Sequence, residues 1–180
     1  MKVPAPDGAK IELKKIQTLT NTDFVVAGSI LFADNHSEGM LVRIDNSGAI
    51  KDQKTIRIND KPTTIFDVKA LATGPVFITG TVNDGSNTVF AGLLNKDLTV
   101  NTIRTIAVNA LPQQLTAGII DLNAQIMFAV SVRITDAALA IVLNNDMSVK
   151  WMSQVTLPGL NSIVGFSSYG YGPLALITNC

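Results

Sequence analysis

The only histidine of the chain, His36, sits in the run Ala33-Asp34-Asn35-His36-Ser37-Glu38-Gly39, with a carboxylate two residues away on either side. That spacing suits two chemistries. Asp34, His36 and Glu38 could offer oxygen and nitrogen to a metal ion, or Asp34 could orient the imidazole as a general base. The calcium-loop pattern of spaced acidic residues around a central glycine is absent. A solvated loop between two strands has the same composition, and that reading is favoured. A Ser-His-Asp triad would have to use His36, yet no Gly-x-Ser-x-Gly elbow occurs to present a serine. The single cysteine, Cys180, is the last residue, which leaves no internal disulfide and no cysteine zinc site.

Glycoside cleavage needs two carboxyl groups held roughly 5–10 Å apart. Asp67, Asp84, Asp121 and Asp136 are the candidates, and their positions in sequence bring no particular pair together. Both tyrosines, Tyr169 and Tyr171, fall in the glycine-rich stretch Gly165 to Pro173, where aromatic faces could stack on a sugar or a peptide. Covering the end of the core is the favoured alternative. Trp151, the only tryptophan, reads in the same two ways, as a ligand platform or as packing between units. These three are the ligand-binding candidates; no catalytic residue and no cofactor is assigned. Phosphate-binding glycine loops are missing. Fourteen basic residues balance fourteen acidic ones, which argues against nucleic acid as a partner.

The elements that must position these side chains emerge from internal repetition. Asp23 begins DFVVAGS, Pro75 begins PVFITGT and Gln125 begins QIMFAVS, steps of about fifty residues. A second landmark keeps the same step: LVRIDNSGAI from Leu41, AGLLNKDLTV from Ala91 and AIVLNNDMSV from Ala140. Each copy reads as four short strands: an irregular first (IELKKIQTL, TIFDVKALA, QLTAGIIDL, SIVGFSS), an apolar second, a third ending in an Asp/Asn/Gly turn, and a fourth. β-branched residues dominate, and no window carries a helical apolar period. Second strands are apolar on both faces, whereas fourth strands carry Lys51, Asp52, Lys54, Arg57 and Arg104. Burial is therefore expected to fall from inner strand to outer. With 47% hydrophobic and 16% charged residues the chain is expected to fold, and no run of eighteen apolar residues spans a membrane.

A four-stranded unit of roughly this length is the signature of a β-propeller blade. The residues resemble bacterial propeller repeats of the delta-60 and PQQ-like kind, in which an apolar strand ending in Ala-Gly-Ser or Thr-Gly-Thr leads to an Asp-Asn-Gly turn and a basic outer strand. Phe24 to Ser29 with Leu41 to Thr55 fits best; Leu98 replaces the turn glycine in the second copy, and Val130 and Met147 depart in the third. The tryptophans that dock quinones in some PQQ enzymes have no counterpart, Trp151 being alone.

The expected fold is thus all-β, a single domain forming a partial propeller of about three and a half blades (residues 9–58, 62–108, 113–157 and a half blade at 160–180), with a β-sandwich or barrel as alternative. No charge follows Lys150, and the last apolar strand, Pro173 to Thr178, calls for a pairing partner, either another protein or a second copy. The expected function is a non-catalytic scaffold or binding module of a larger or oligomeric bacterial assembly, extracellular or periplasmic if a signal peptide was removed. The alternatives are a fragment of a propeller enzyme, for example one acting on carbohydrate, and a structural subunit of a filament.

Overall fold

Runs of six to ten residues rich in Val, Ile, Thr and Phe, punctuated by Asn, Asp and Gly, leave the backbone one economical solution, the antiparallel meander. A computed structural model of the chain describes residues 5–20, 22–71, 74–122, 125–135, 137–156, 162–168 and 174–179. The first unit comprises β1 (Lys10–Thr18), β2 (Asp23–Leu31), β3 (Ser37–Asp45) and β4 (Ile50–Ile56). The second comprises β5 (Thr63–Ala70), β6 (Val76–Val82), β7 (Thr88–Leu94) and β8 (Val100–Ala107). The third comprises β9 (Gln114–Leu122), β10 (Gln125–Ile134), β11 (Ala137–Leu143) and β12 (Val149–Thr156); β13 (Ser162–Ser168) and β14 (Leu174–Asn179) follow. Each unit is one antiparallel sheet with its strands in sequence order, and β13 pairs with β14 in a two-stranded sheet. The all-β class and the repeated four-stranded unit are as the sequence implies.

The first strand of each unit makes the contact with the unit before it: β5 packs on β1, β2 and β3, β9 on β5 and β6, and β13 on β9 and β10. Successive sheets thereby face one another, and the core forms between them. Val25, Ala27 and Leu41 share one cluster with Ile65, Ile78, Phe90 and Leu94, while Phe77, Val89 and Ala91 share the next with Phe128, Leu139 and Ile141. Phe77 and Phe128 stack across that second layer with centroids 4.6 Å apart. Burial peaks in the middle two strands of each unit and does not fall steadily from the first strand. β1 is nearly all exposed, with Leu13 and Ile16 about half accessible, because among the described residues β5 is the strand of another sheet packed against it; β5, flanked on both sides, has no exposed residue.

Two polar staples cross the layers. Thr63, wholly buried, accepts from the Gly39 N–H at 3.2 Å and donates to the carbonyl of Ile56, tying unit two to unit one. The buried Asp67 carboxylate accepts from Val68 N–H at 2.8 Å and from Ala117 N–H at 2.9 Å, tying unit two to unit three.

The departures of the third repeat have a physical cause. β1 and β5 each carry a one-residue bulge, between Leu13 and Lys15 and between Ile65 and Asp67, opposite Gly28 and Gly80. A Cβ at Gly28 would lie 2.2 Å from the Glu12 carbonyl oxygen, and one at Gly80 would lie 2.0 Å from that of Thr64. The glycines admit the bulged strand. In the third unit Val130 stands at this position, and β9 pairs with β10 in regular register without a bulge.

The turn after each third strand requires a left-handed residue. Unit one supplies Gly48 at φ 83°, units two and three supply Leu98 at 63° and Met147 at 66°. Such a conformation costs a side-chain-bearing residue about 1–2 kcal/mol. Leu98 and Met147 are each only 1% exposed and lie in the two inter-sheet clusters, so full burial, worth about 1.5–3 kcal/mol, offsets the strain.

Candidate binding surfaces

Because each unit is a meander, its loops alternate between two ends of the molecule. The β2–β3, β4–β5, β6–β7 and β8–β9 connections share one end. Asn83 Nδ2 donates to Ser37 Oγ and to Thr64 Oγ1, both at 2.8 Å, which seats the β6–β7 loop beside the start of β3. His36 lies at this end. Its ring stacks on Phe32 with centroids 4.2 Å apart, Nδ1 bonds the Asp34 carboxylate, and Nε2 is 4.0 Å from Glu38 Oε1.

Glu38 is shared with the Arg57 guanidinium at 3.2 Å, so a cation entering between Asp34, His36 and Glu38 would meet a resident positive charge. Among the described residues no three His, Cys, Asp or Glu side chains converge in a manner suited to a metal. The neighbouring Ser37 hydroxyl bonds Thr64 Oγ1 at 2.9 Å, away from the imidazole. Among the described residues His36 has an orienting carboxylate and no hydroxyl hydrogen-bonded to its ring.

Of the four candidate carboxylates, Asp67 is the inter-sheet staple, and both its oxygens are occupied by backbone N–H groups. Asp84 caps its own loop by accepting from the Ser86 N–H at 3.0 Å. Asp121 lies on β9, where only the backbone is described, and Asp136 lies outside the described residues.

Five aspartates have lowered pKa values: Asp34, Asp84, Asp97 and Asp146 are exposed turn residues, and Asp45, half-buried, closes β3 at the head of its turn. Asp45, Asp84, Asp97 and Asp146 are stabilised as anions chiefly by a hydroxyl two residues on (Ser47, Ser86, Thr99, Ser148), Asp34 chiefly by the His36 backbone N–H and then by its ring. Perturbed carboxyls often mark reactive sites, but these five are spread over separate hairpins and act as turn locks.

The outer strands show where the third unit differs from the first two. Registers with the third strands make Ile56, Ile106 and Val155 equivalent, opposite Gly39, Val89 and Ala138. Ile56 is 4% exposed and Ile106 8%, whereas Val155 is 43% exposed. Trp151, at the position of Asp52 and Thr102, is 49% exposed, and Met152 is 50% exposed. Lys54 and Arg104 place a cation at the position that Ser153 occupies in β12. β12 thus presents Trp151 and Val155 with the uncharged Ser153 between them, and its one charged residue is Lys150, whose amine lies 3.3 Å from the Met127 sulfur.

Beside this strand a groove of about 280 Å³ opens between the end of β8 and β12, lined by Val108, Leu139 and Met152. The Asn109 side chain crosses it to donate to Gln154 at 2.9 Å. Its volume falls just below the range usual for small-molecule sites. Tyr169 and Tyr171, and Pro173 at the head of the proposed edge segment, lie outside the described residues, so Trp151 is the ligand candidate whose surroundings are defined. The exposure of Trp151 and Val155 was not evident from residue types, since the cover of Ile56 and Ile106 comes from the next unit along. The signal was present in the loss of charge between β4 and β12.

No helix of the described residues is long and apolar enough to cross a membrane. No protein-family model matches the chain, and no curated protein matches it.

Proposed function

We propose that this chain is a non-catalytic β scaffold or binding module, its sheets arranged as blades of a partial propeller, that joins a larger assembly through strand edges at its C-terminal side. The observation that carries this reading is the exposure of Val155 and Trp151 on β12, at positions whose equivalents in the preceding units are covered by a following sheet. An outer strand whose Trp151 and Val155 face has Ser153 where β4 and β8 carry the cations Lys54 and Arg104 is the kind of edge that natural sheets leave open only to be covered.

Amide hydrogen exchange of the dilute chain tests the reading. Val149–Thr156 and Leu174–Asn179 are expected to exchange faster than β10 and β11, and to become protected on assembly. Protection equal to that of β10 and β11 at the lowest concentration would overturn it.

A further inference from the structure

The geometry points to a carboxylate-binding site at Arg133, near the end of β10, where the terminal amines of the guanidinium receive the carboxylate of a small acid. The site lies apart from the strand edges of the assembly reading, and it stands or falls independently of them.

Of the four arginines, Arg43 is paired with Asp23 and Asp52, Arg57 with Glu38, and Arg104 is exposed to solvent. Arg133 is half-buried and has no ion pair among the described residues. Its own sheet has no carboxylate within reach. Across β9, β10, β11 and β12 the one acidic residue is Asp121, seven residues along β9 from Gln114, the residue opposite Arg133, and so about 23 Å away. The first two units keep the cations Lys54 and Arg104 on their outer strands, where water solvates them; the third has Ser153 there and places its arginine on an inner strand. A partly desolvated cation without a counter-charge gains from acquiring one.

Three side-chain atoms of the described residues are enclosed without a hydrogen-bond partner: Ser29 Oγ, Ser131 Oγ and Arg133 Nε. Two of the three sit side by side on one face of β10, since residues two apart point the same way. That face is turned away from the second unit, because Phe128, Val130 and Val132 on the other face share their cluster with Phe77 and Val89. Arginine carries donors only, so the group missing at Nε is an acceptor, and the charge favours an anionic one. The β11 neighbours of Arg133 and Ser131 are Ala138 and Ala140, which offer no polar atom beyond the backbone.

Nε is enclosed, so the ligand meets the terminal amines, which a carboxylate bridges with two parallel hydrogen bonds. One cation balances one carboxylate, whereas a phosphate dianion would leave a net charge half-buried. The Gln113 N–H donates to the Arg133 carbonyl at 2.8 Å, so the fork is presented from a strand held in place. Asp136, in the turn after β10, lies outside the described residues and is the internal rival that the experiment must exclude.

The test is a titration of the full chain with sodium acetate to about 0.1 M, against sodium chloride at the same ionic strength so that screening is matched. Acetate should shift the Arg133 Nε–H resonance and the Ala138 backbone amide saturably, and chloride should not. Arg133→Gln removes the charge, and Arg133→Lys keeps it without the planar fork; in each, the Ala138 shift should need at least about tenfold more acetate. Arg104→Gln, which takes the same charge from an exposed site, should leave the titration unchanged.

No saturable shift in the wild type would overturn the site, as would equal affinity in both Arg133 variants. Saturation seen only after Asp136→Asn would show the fork already filled from within the chain and would overturn the proposal too. Inorganic phosphate saturating at lower concentration than acetate would overturn the carboxylate as ligand.

Discussion

Gly80→Ala puts a single methyl where β5 and β6 approach most closely. Its Cβ would lie 2.0 Å from the Thr64 carbonyl oxygen and 2.6 Å from the ring of Phe90, which is wholly buried. Neither neighbour is the free end of a flexible side chain, so the bulged strand must move outward by more than 1 Å on the order of a normal contact distance. Overpacking of this kind costs about 1–3 kcal/mol, and loosening one ladder hydrogen bond adds about 1 kcal/mol, for a total near 3 kcal/mol. In a domain of this length that lowers Tm by about 6–12 °C.

The sign is diagnostic, because a glycine replaced in an unstrained strand gains about 0.4–1 kcal/mol from the unfolded chain. Thermal and urea unfolding followed by far-UV circular dichroism give the answer. Val130→Ala, at the equivalent site of the third unit where the strands pair regularly, should also destabilise, by about 1–3 kcal/mol, since there the larger residue is the one that fits. A Gly80→Ala protein as stable as the wild type would refute the link between glycine and bulge.

Leu98→Gly and Met147→Gly would each relieve a left-handed residue yet lose a buried side chain, with a net loss of about 1–2 kcal/mol in urea unfolding; a gain in stability would show that the turn, not the core, governs these positions. Asp67→Asn replaces one accepting oxygen by an amide N–H that faces a backbone donor, costing about 1–3 kcal/mol and speeding exchange at Ala117; unchanged exchange there would remove Asp67 as a staple. The five aspartates have folded pKa values below their unfolded value of 3.8, so their contribution is complete above that pH and is lost progressively as pH falls from it through the lower folded values. The urea midpoint should therefore hold from pH 7 to 5 and fall below about pH 4, less steeply when Asp97 and Asp146 are both changed to Asn; a midpoint that rises on acidification would contradict this.

Local features of the fold were legible. The period of the repeat and the Asp/Asn turns placed the strands, because strand and hairpin formation depend on neighbours in sequence. The irregular first strands also came out correctly, QLTAGIIDL and SIVGFSS coinciding with β9 and β13. Leu98 and Met147 looked like defects in a turn, and only their depth in the core explains them. The roles of Asp67 and Thr63 were hidden for a similar reason, since their partners Ala117 and Gly39 lie far away in sequence. Trp151 had two readings from its place on an outer strand, packing between units or a ligand platform, and the structure leaves it half exposed. The sequence placed His36 in a loop with its carboxylates; that Glu38 turns to Arg57 depends on the β4–β5 connection folding back beside it.

The sole tryptophan makes the central claim directly measurable. Emission of Trp151 recorded in the dilute chain and in its assembled form, with acrylamide quenching at each step, is predicted to shift to the blue and lose its quenching as the mass rises. Emission that stays at long wavelength and fully quenched while the mass rises would show that β12 lies outside the contact and would contradict the account.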